Sequence, residues 1–315
     1  MPGGEAHRPA VGWRTLAAQR MAALPPLRPW LLAARVKTLP AALVPVAVGT
    51  ALAARRGPVP PGLSLCCGGF ALLVQVATNL ANDLYDSERG ADTPARRGPL
   101  RVTAAGLVTP RRMRRALLAV NLGAVVVGLP VALWRGPAIV PVGAASLLAG
   151  WAYTGGPFPL AYHGLGDVFV VSFFGVVATA GTAFALGGAL DAPAILVGLG
   201  VGLLCDNILV ANNARDVVTD AAAGKRTLAV RLGPAFTRVQ YACQAVLAFA
   251  LPFAAGPGAG GAALLAAPLA VLAGARFARA QEGKEFNAAL GLAAATLLAY
   301  GVALAAALAW AGARG

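Results

Sequence analysis

Two short segments of this chain hold six of its 12 acidic residues. The first contains Asn79, Asn82, Asp83, Tyr85, Asp86, Glu88 and Asp92, and the second Asn212, Asn213, Arg215, Asp216 and Asp220. On a helix, Asn79, Asp83 and Asp86 stand at i, i+4 and i+7, a stripe of one amide and two carboxylates. Asn212, Asp216 and Asp220 make the same kind of stripe at i, i+4 and i+8. Like charges at this spacing destabilise a helix, and acids near a helix C-terminus oppose its dipole, so helix stability explains neither stripe. Something cationic belongs between them. Mg2+ takes oxygen ligands from one or two carboxylates and completes its shell with water and substrate phosphate. Basic residues follow each stripe: Arg96, Arg97 and Arg101 after the first, Lys225, Arg226 and Arg231 after the second. Guanidinium groups match phosphate oxygens in pairs, so the pattern points to a diphosphate. The competing reading is a solvated rim at a membrane surface, which the concentration of acids in two segments disfavours.

The elements that must position these stripes are membrane helices. Of 315 residues, 58% are hydrophobic and only 12% charged, with mean hydropathy +0.70; soluble domains carry about 25% charged residues. The pattern predicts an all-α integral membrane protein with about nine transmembrane helices in one bundle and a cytoplasmic-side active-site cavity. The expected spans are Thr38 to Ala54, Gly62 to Leu84, Ala116 to Leu133, Ala138 to Tyr153 and Val168 to Leu190. They continue with Ala192 to Ala214, Val239 to Ala255, Gly261 to Ala278 and Ala288 to Ala311. Residues 1–28 read as a mobile or interfacial tail without the apolar run of a secretory signal, and 29–315 as a single transmembrane domain. The net charge of +14 is scattered between apolar runs and not gathered in one arm, which argues against a nucleic-acid partner. Alternating sides along the expected spans places 22 of the 26 Lys and Arg residues on one face. That face is cytoplasmic by the positive-inside rule. A multi-pass protein of the cell membrane is expected, with its N-terminus and the mouth of its site in the cytoplasm. Two long cytoplasmic loops, Tyr85 to Arg115 and Arg215 to Arg238, each begin beside an acidic stripe. The four cysteines form no CxxC pair, and neither a disulfide framework nor a zinc site is expected.

At these residues the sequence resembles the UbiA superfamily of intramembrane aromatic prenyltransferases. The resemblance runs from Pro29 to the last helix. Its marks are Ala34 to Pro40, Thr78 to Asp83, Gly98 to Thr103, Tyr153 to Pro157, Tyr162 to Asp167 and Gly224 to Gly233. These are most like the branch acting on 1,4-dihydroxy-2-naphthoate. The resemblance implies transfer of a polyprenyl group from an isoprenyl diphosphate to that acceptor, with loss of diphosphate and CO2, giving demethylmenaquinone. It also implies Mg2+ as cofactor, held by Asn79, Asp83 and Asp86 and by Asp216 and Asp220, with Asn212 beside them. Lys37, Arg101, Lys225 and Arg226 are the implied diphosphate contacts, and Tyr153 and His163 lie where the acceptor would approach. Gly90 stands where the general superfamily pattern has an acid, so the metal role rests on Asp83 and Asp86 more than on Asp92.

Each basic and aromatic residue has a plainer role open to it. Lys37 suits a membrane anchor, Arg101, Lys225 and Arg226 suit lipid headgroups, and Tyr153 and His163 suit an interfacial belt or a loop-ordering hydrogen bond. Asp206, about ten residues along the helix from Asp216, is a membrane acid whose expected partner is Asn207 or another polar group facing a cavity. Gly198, Gly200 and Gly202 permit close helix packing, within the bundle or between chains. Two alternatives to the expected activity are a prenyltransferase for another aromatic acceptor, such as 4-hydroxybenzoate, and a membrane transporter.

Overall fold

A computed structural model describes residues 25–92, 98–281 and 283–314; the Lys37 side chain is not described. Most of the expected tail, residues 1–24, and the basic pair Arg96 and Arg97 therefore lie outside the described residues. All regular structure among the described residues is helical. The main helices are α1 (Arg28–Ala34), α2 (Pro40–Ala54), α3 (Pro61–Glu88), α4 (Pro110–Arg135) and α5 (Pro137–Ala152). They continue with α6 (Gly166–Gly187), α7 (Ala192–Ala222), α8 (Leu228–Ala250), α9 (Pro257–Arg279) and α10 (Glu285–Gly312).

Local chemistry sets these boundaries. Proline opens α2, α3, α4, α5 and α9, where its missing N–H has no helical partner to lose. Thr109, Asp191 and Thr227 accept backbone N–H bonds as N-caps of α4, α7 and α8. Between α1 and α2 the chain turns at Arg35, the one non-glycine residue with positive φ among the described residues.

Six helices, α3, α4, α6, α7, α9 and α10, are long and apolar enough to cross a membrane. Of the other expected spans, α2 and α5 are shorter apolar helices, and α8 carries polar residues such as Arg231, Arg238, Gln240 and Gln244 along its 23 residues. The helices also outrun their apolar stretches. α3 stays helical through its acidic segment to Glu88, and α7 continues to Ala222. α8 begins at Leu228, so the expected loop from Arg215 to Arg238 shrinks to the connection 223–227. Polar side chains end an apolar run, but they do not end a helix whose backbone bonds remain satisfied.

α7 is the central helix: 72% of its most apolar stretch is buried, against 11% for the peripheral α4. Glycines bring α6 and α7 into backbone contact. A Cβ on Gly202 would lie 2.6 Å from the Val171 carbonyl oxygen, and one on Gly198 would lie 3.1 Å from the Val176 Cα. Gly200 faces the Tyr300 hydroxyl and the Ala248 carbonyl, so all three glycines serve packing inside the bundle. Opposite them α6 widens into a π-helical turn, Val171–Val177, carrying Phe173 and Phe174. Gly202→Val therefore drives a side chain into backbone, an overpacking cost of about 1–3 kcal/mol or more. The expected outcome is a lower unfolding temperature in detergent than for Gly291→Ala, where a Cβ meets nothing within 4 Å.

Candidate active site

The ends of α3 and α7 border one polar cavity of about 120 Å³. Of the residues expected from sequence, its wall brings together Asp86, Arg101, Tyr153, Asn212, Asp216, Asp220 and Lys225. Asn82, Thr154, Asp167 and Asn213 also contribute, without having been expected there. Asn79, Asp83 and Arg226 are not among the lining residues. The face of α3 toward the cavity is thus Asn82 and Asp86, one turn apart, in place of the expected stripe Asn79, Asp83 and Asp86. On α7 the stripe Asn212, Asp216 and Asp220 lines the cavity as spaced.

Asp86 is the hub. It is 1% exposed, and its Oδ2 accepts hydrogen bonds from Arg101 at 2.9 Å and from Lys225 at 3.0 Å. Its Oδ1 accepts the Tyr162 hydroxyl at 2.9 Å. These donors come from the connection after α3, the connection after α7 and the connection between α5 and α6. Burial, then the Asp86 charge, push the Tyr162 hydroxyl well above its usual pKa, so it remains a donor. The Lys225 ammonium and the Arg89 guanidinium stand over the Tyr162 ring, at 5.0 and 5.2 Å from its centroid. Asp92 is buried and pairs with Arg101 at 3.4 Å.

Across the cavity Arg215 grips the neighbouring Asp216, Nε to Oδ1 at 2.9 Å and Nη2 to Oδ2 at 2.6 Å. The same guanidinium reaches the amide oxygens of Asn212 and of Asn287 on α10. Arg215 was visible in the acidic segment, but only the fold reveals that it braces Asp216.

Asp83 does different work. Its two oxygens accept the backbone N–H groups of Thr103, at 2.8 Å, and of Val102, at 3.0 Å, and it is 2% exposed. As placed, it ties the segment carrying Arg101 to α3. Asn79 donates to the Ala34 carbonyl at 3.0 Å and to Thr38 at 3.3 Å, holding the end of α1 and the connection before α2 against α3. The Arg226 side chain is exposed, while its backbone N–H bonds the Tyr162 carbonyl. His163 stacks on Phe158 and bonds the Pro159 carbonyl, a loop-ordering role.

Among the described residues no three His, Cys, Asp or Glu side chains stand close enough together to hold a metal ion unaided. The lining donors are carboxylate and amide oxygens with no thiolate or imidazole, a hard set suited to Mg2+ when substrate phosphate supplies further oxygens.

Beside the polar cavity lies an apolar one of about 350 Å³ among α2 to α6. Its wall includes Val46, Phe70, Val74, Thr78, Phe169, Phe173 and Phe174. The two adjoin where Thr78 gives way to Asn82 along α3 and where the Tyr153 and Phe169 rings meet, centroids 4.9 Å apart.

The helical bundle is shared with solved structures of UbiA homologs. A UbiA homolog from Archaeoglobus fulgidus bound to GPP and Mg2+ superposes with a TM-score of 0.61 at 15% identity, over 88% of this chain and 99% of that one. The apo structure of a homolog from Aeropyrum pernix gives 0.63 at 20% identity, over 84% and 96%. The chain belongs to the UbiA prenyltransferase family, whose model matches residues 42–295. It is a multi-pass membrane protein. At 38% identity over 286 residues it is similar to 1,4-dihydroxy-2-naphthoate octaprenyltransferase of Mycobacterium tuberculosis, covering 89% of this chain and 97% of that one. The Escherichia coli protein of the same name is 38% identical over 220 residues, 68% of this chain and 71% of that one.

Removing the Asp83 carboxylate leaves two buried N–H groups without acceptors, at about 1–3 kcal/mol each. In Asp83→Ala the amides of Val102 and Thr103 are expected to exchange with deuterium at least ~10-fold faster, read by mass spectrometry. Unchanged protection there contradicts the tether.

Proposed function

We propose that this chain transfers a polyprenyl group from a prenyl diphosphate to 1,4-dihydroxy-2-naphthoate, releasing diphosphate and CO2 and yielding the quinol form of demethylmenaquinone. The observation that carries the reading is the pairing of an acid- and base-lined cavity with an adjoining apolar one. A prenyl diphosphate has the same two parts, a charged head and an apolar tail. The names borne by the Mycobacterium tuberculosis and Escherichia coli relatives support the naphthoate acceptor.

Asp86, Asp216 and Asp220, with the amide oxygens of Asn82 and Asn212, would hold Mg2+ in concert with the diphosphate. Bound Mg2+ supplies Lewis-acid stabilisation of the negative charge on the departing diphosphate. Arg101 and Lys225, already gathered at Asp86, exchange part of that carboxylate for phosphate oxygens and stabilise the same charge. Asp83 and Asn79 serve by holding the segments that carry Arg101 and Arg35. Tyr153 and Phe169, at the junction of the two cavities, offer ring faces to an allylic cation and to the acceptor. Apolar walls exclude water from the reacting carbon. Residues 29–315 act as one transmembrane domain preceded by a tail, with nine crossings that include α2, α5 and α8. The strong bias of basic residues to one face supports a cytoplasmic mouth.

The test is product formation from 1,4-dihydroxy-2-naphthoate and a polyprenyl diphosphate by the purified protein in lipid nanodiscs. Activity is expected to vanish with EDTA and return with Mg2+. Asp86→Asn and Asp216→Asn are each expected to lower kcat by roughly 10²–10³-fold, the scale of one lost charge-stabilising group. Lys225→Met is expected to raise KM for the prenyl diphosphate at least ~10-fold, equivalent to about 1.4 kcal/mol. Preference for 4-hydroxybenzoate in competition would reassign the acceptor. Substrate movement without covalent product would make the chain a transporter.

A further inference from the structure

Behind the cavity, four polar side chains on three helices form a cluster that the functions above leave unused. Asp167 lies in the first turn of α6 and lines the polar cavity. Asp206, 0% exposed on α7, lies behind it, and the two carboxyl groups are within hydrogen-bonding reach of one another. Gln240 and Gln244, one turn apart on α8, close the cluster. Gln240 donates to Asp167 Oδ1 at 2.7 Å, and Gln244 donates to Asp206 Oδ2 at 2.7 Å. The partner of Asp206 is thus Gln244 together with Asp167, and not the adjacent Asn207.

The cluster has more acceptors than donors. Asp206 Oδ1 and the Oε1 atoms of Gln240 and Gln244 are buried without a hydrogen-bond partner. Among the described residues no Lys or Arg forms an ion pair with either acid. Two buried carboxyl groups in contact are stable only with a proton between them, since two bare carboxylates repel and neither has a counter-charge. A pair holding one proton keeps one negative charge, and the positive end of α6 favours its residence on Asp167. Such a pair, opening onto the site beside Tyr153, is built to receive one further proton and hold it.

We infer that Asp167 is a catalytic residue that takes the hydroxyl proton of the aromatic acceptor during carbon–carbon bond formation, with Asp206 as the positioning residue that shares its charge. This rests on the proposed acceptor, whose hydroxyl stands next to a carboxylate-bearing carbon. In the forward step the acceptor O–H bond breaks and the proton moves to Asp167. The oxygen becomes a ketone, and the ring carbon bearing the carboxylate forms its bond to the prenyl C1. The C1–O bond breaks, its electron pair leaving on the diphosphate. In the second step the carboxylate departs as CO2, the pair from that bond restores the ring, and the ketone oxygen takes the proton back from Asp167. No proton is gained or lost overall, which suits a store that nothing else in the cavity has to refill.

The test uses the full chain in nanodiscs with Mg2+, geranyl diphosphate and a series of ring-substituted 1-hydroxy-2-naphthoates of graded hydroxyl acidity. Asp167→Asn is expected to lower kcat at least ~100-fold with the least acidic acceptor, the usual scale of a lost general base. KM for geranyl diphosphate is expected to stay within about twofold of the parent. The kcat deficit is expected to shrink below ~10-fold with acceptors already ionised at the assay pH. Asp206→Asn should show a smaller deficit that shrinks in the same way, whereas damaged packing would lower turnover equally for every acceptor. A deficit independent of acceptor acidity in both variants, or kcat for Asp167→Asn within roughly threefold of the parent, overturns the inference alone. The parent is assayed with 1,4-dihydroxy-2-naphthoate alongside the series; no prenylated product from that compound removes the proposed acceptor and this inference with it.

Discussion

The site is organised by one buried charge. Asp86 is almost wholly enclosed, and a carboxylate in that position is tolerable only when it is paired and hydrogen-bonded. Its partners are Arg101, Lys225 and Tyr162, each from a different connection between helices. The Asp86 pairing is thus what closes three chain segments over the ends of α3 and α7. It also stores two cationic side chains at the place where a diphosphate would need them, with their donors already oriented. Under the proposed reaction a phosphate takes over partners that a carboxylate held in waiting, so little side-chain entropy remains to be lost on binding.

Two further devices support that hub. Asp83 spends its carboxylate on backbone N–H groups, so the Arg101 segment is tied to α3 independently of any ligand. Arg215 does the same for α7, fixing Asp216 through two hydrogen bonds and reaching Asn287 on α10. Below them, the glycine contact of α6 with α7 sets the depth at which Asp167 meets Asp206. A larger residue at Gly202 would part the helices and the two acids together. The polar cavity lies at the helix ends, with Asp167 on its wall, and the apolar cavity opens beside it past the Tyr153 and Phe169 rings.

Much of this was legible before any coordinates. Apolar runs located the helices to within a few residues at most ends, because a run of apolar side chains is what a membrane segment must present to lipid. The acidic segments located the site, because carboxylates at helical spacing have no structural reason to be there. The misplaced helix ends share one cause. Helix ends were placed where the apolar runs stopped, yet α7 and α8 continue through polar residues almost to one another. Backbone hydrogen bonds, and not side-chain polarity, decide where a helix ends.

The sequence by itself therefore determined the helical membrane class, the two acid-bearing segments and the basic residues around them, since composition and spacing are properties of the chain alone. Tertiary structure decided which face of each helix looks inward. It turned Asn82 and Asp86 into the cavity and Asp83 toward a loop, although all three lie within five residues. It also brought Asp167 to Asp206 across two helices, and Gln240 and Gln244 to both from a third. Such pairings depend on how helices rotate and how closely they approach, and those are set by packing between segments far apart in the chain, which no local pattern encodes.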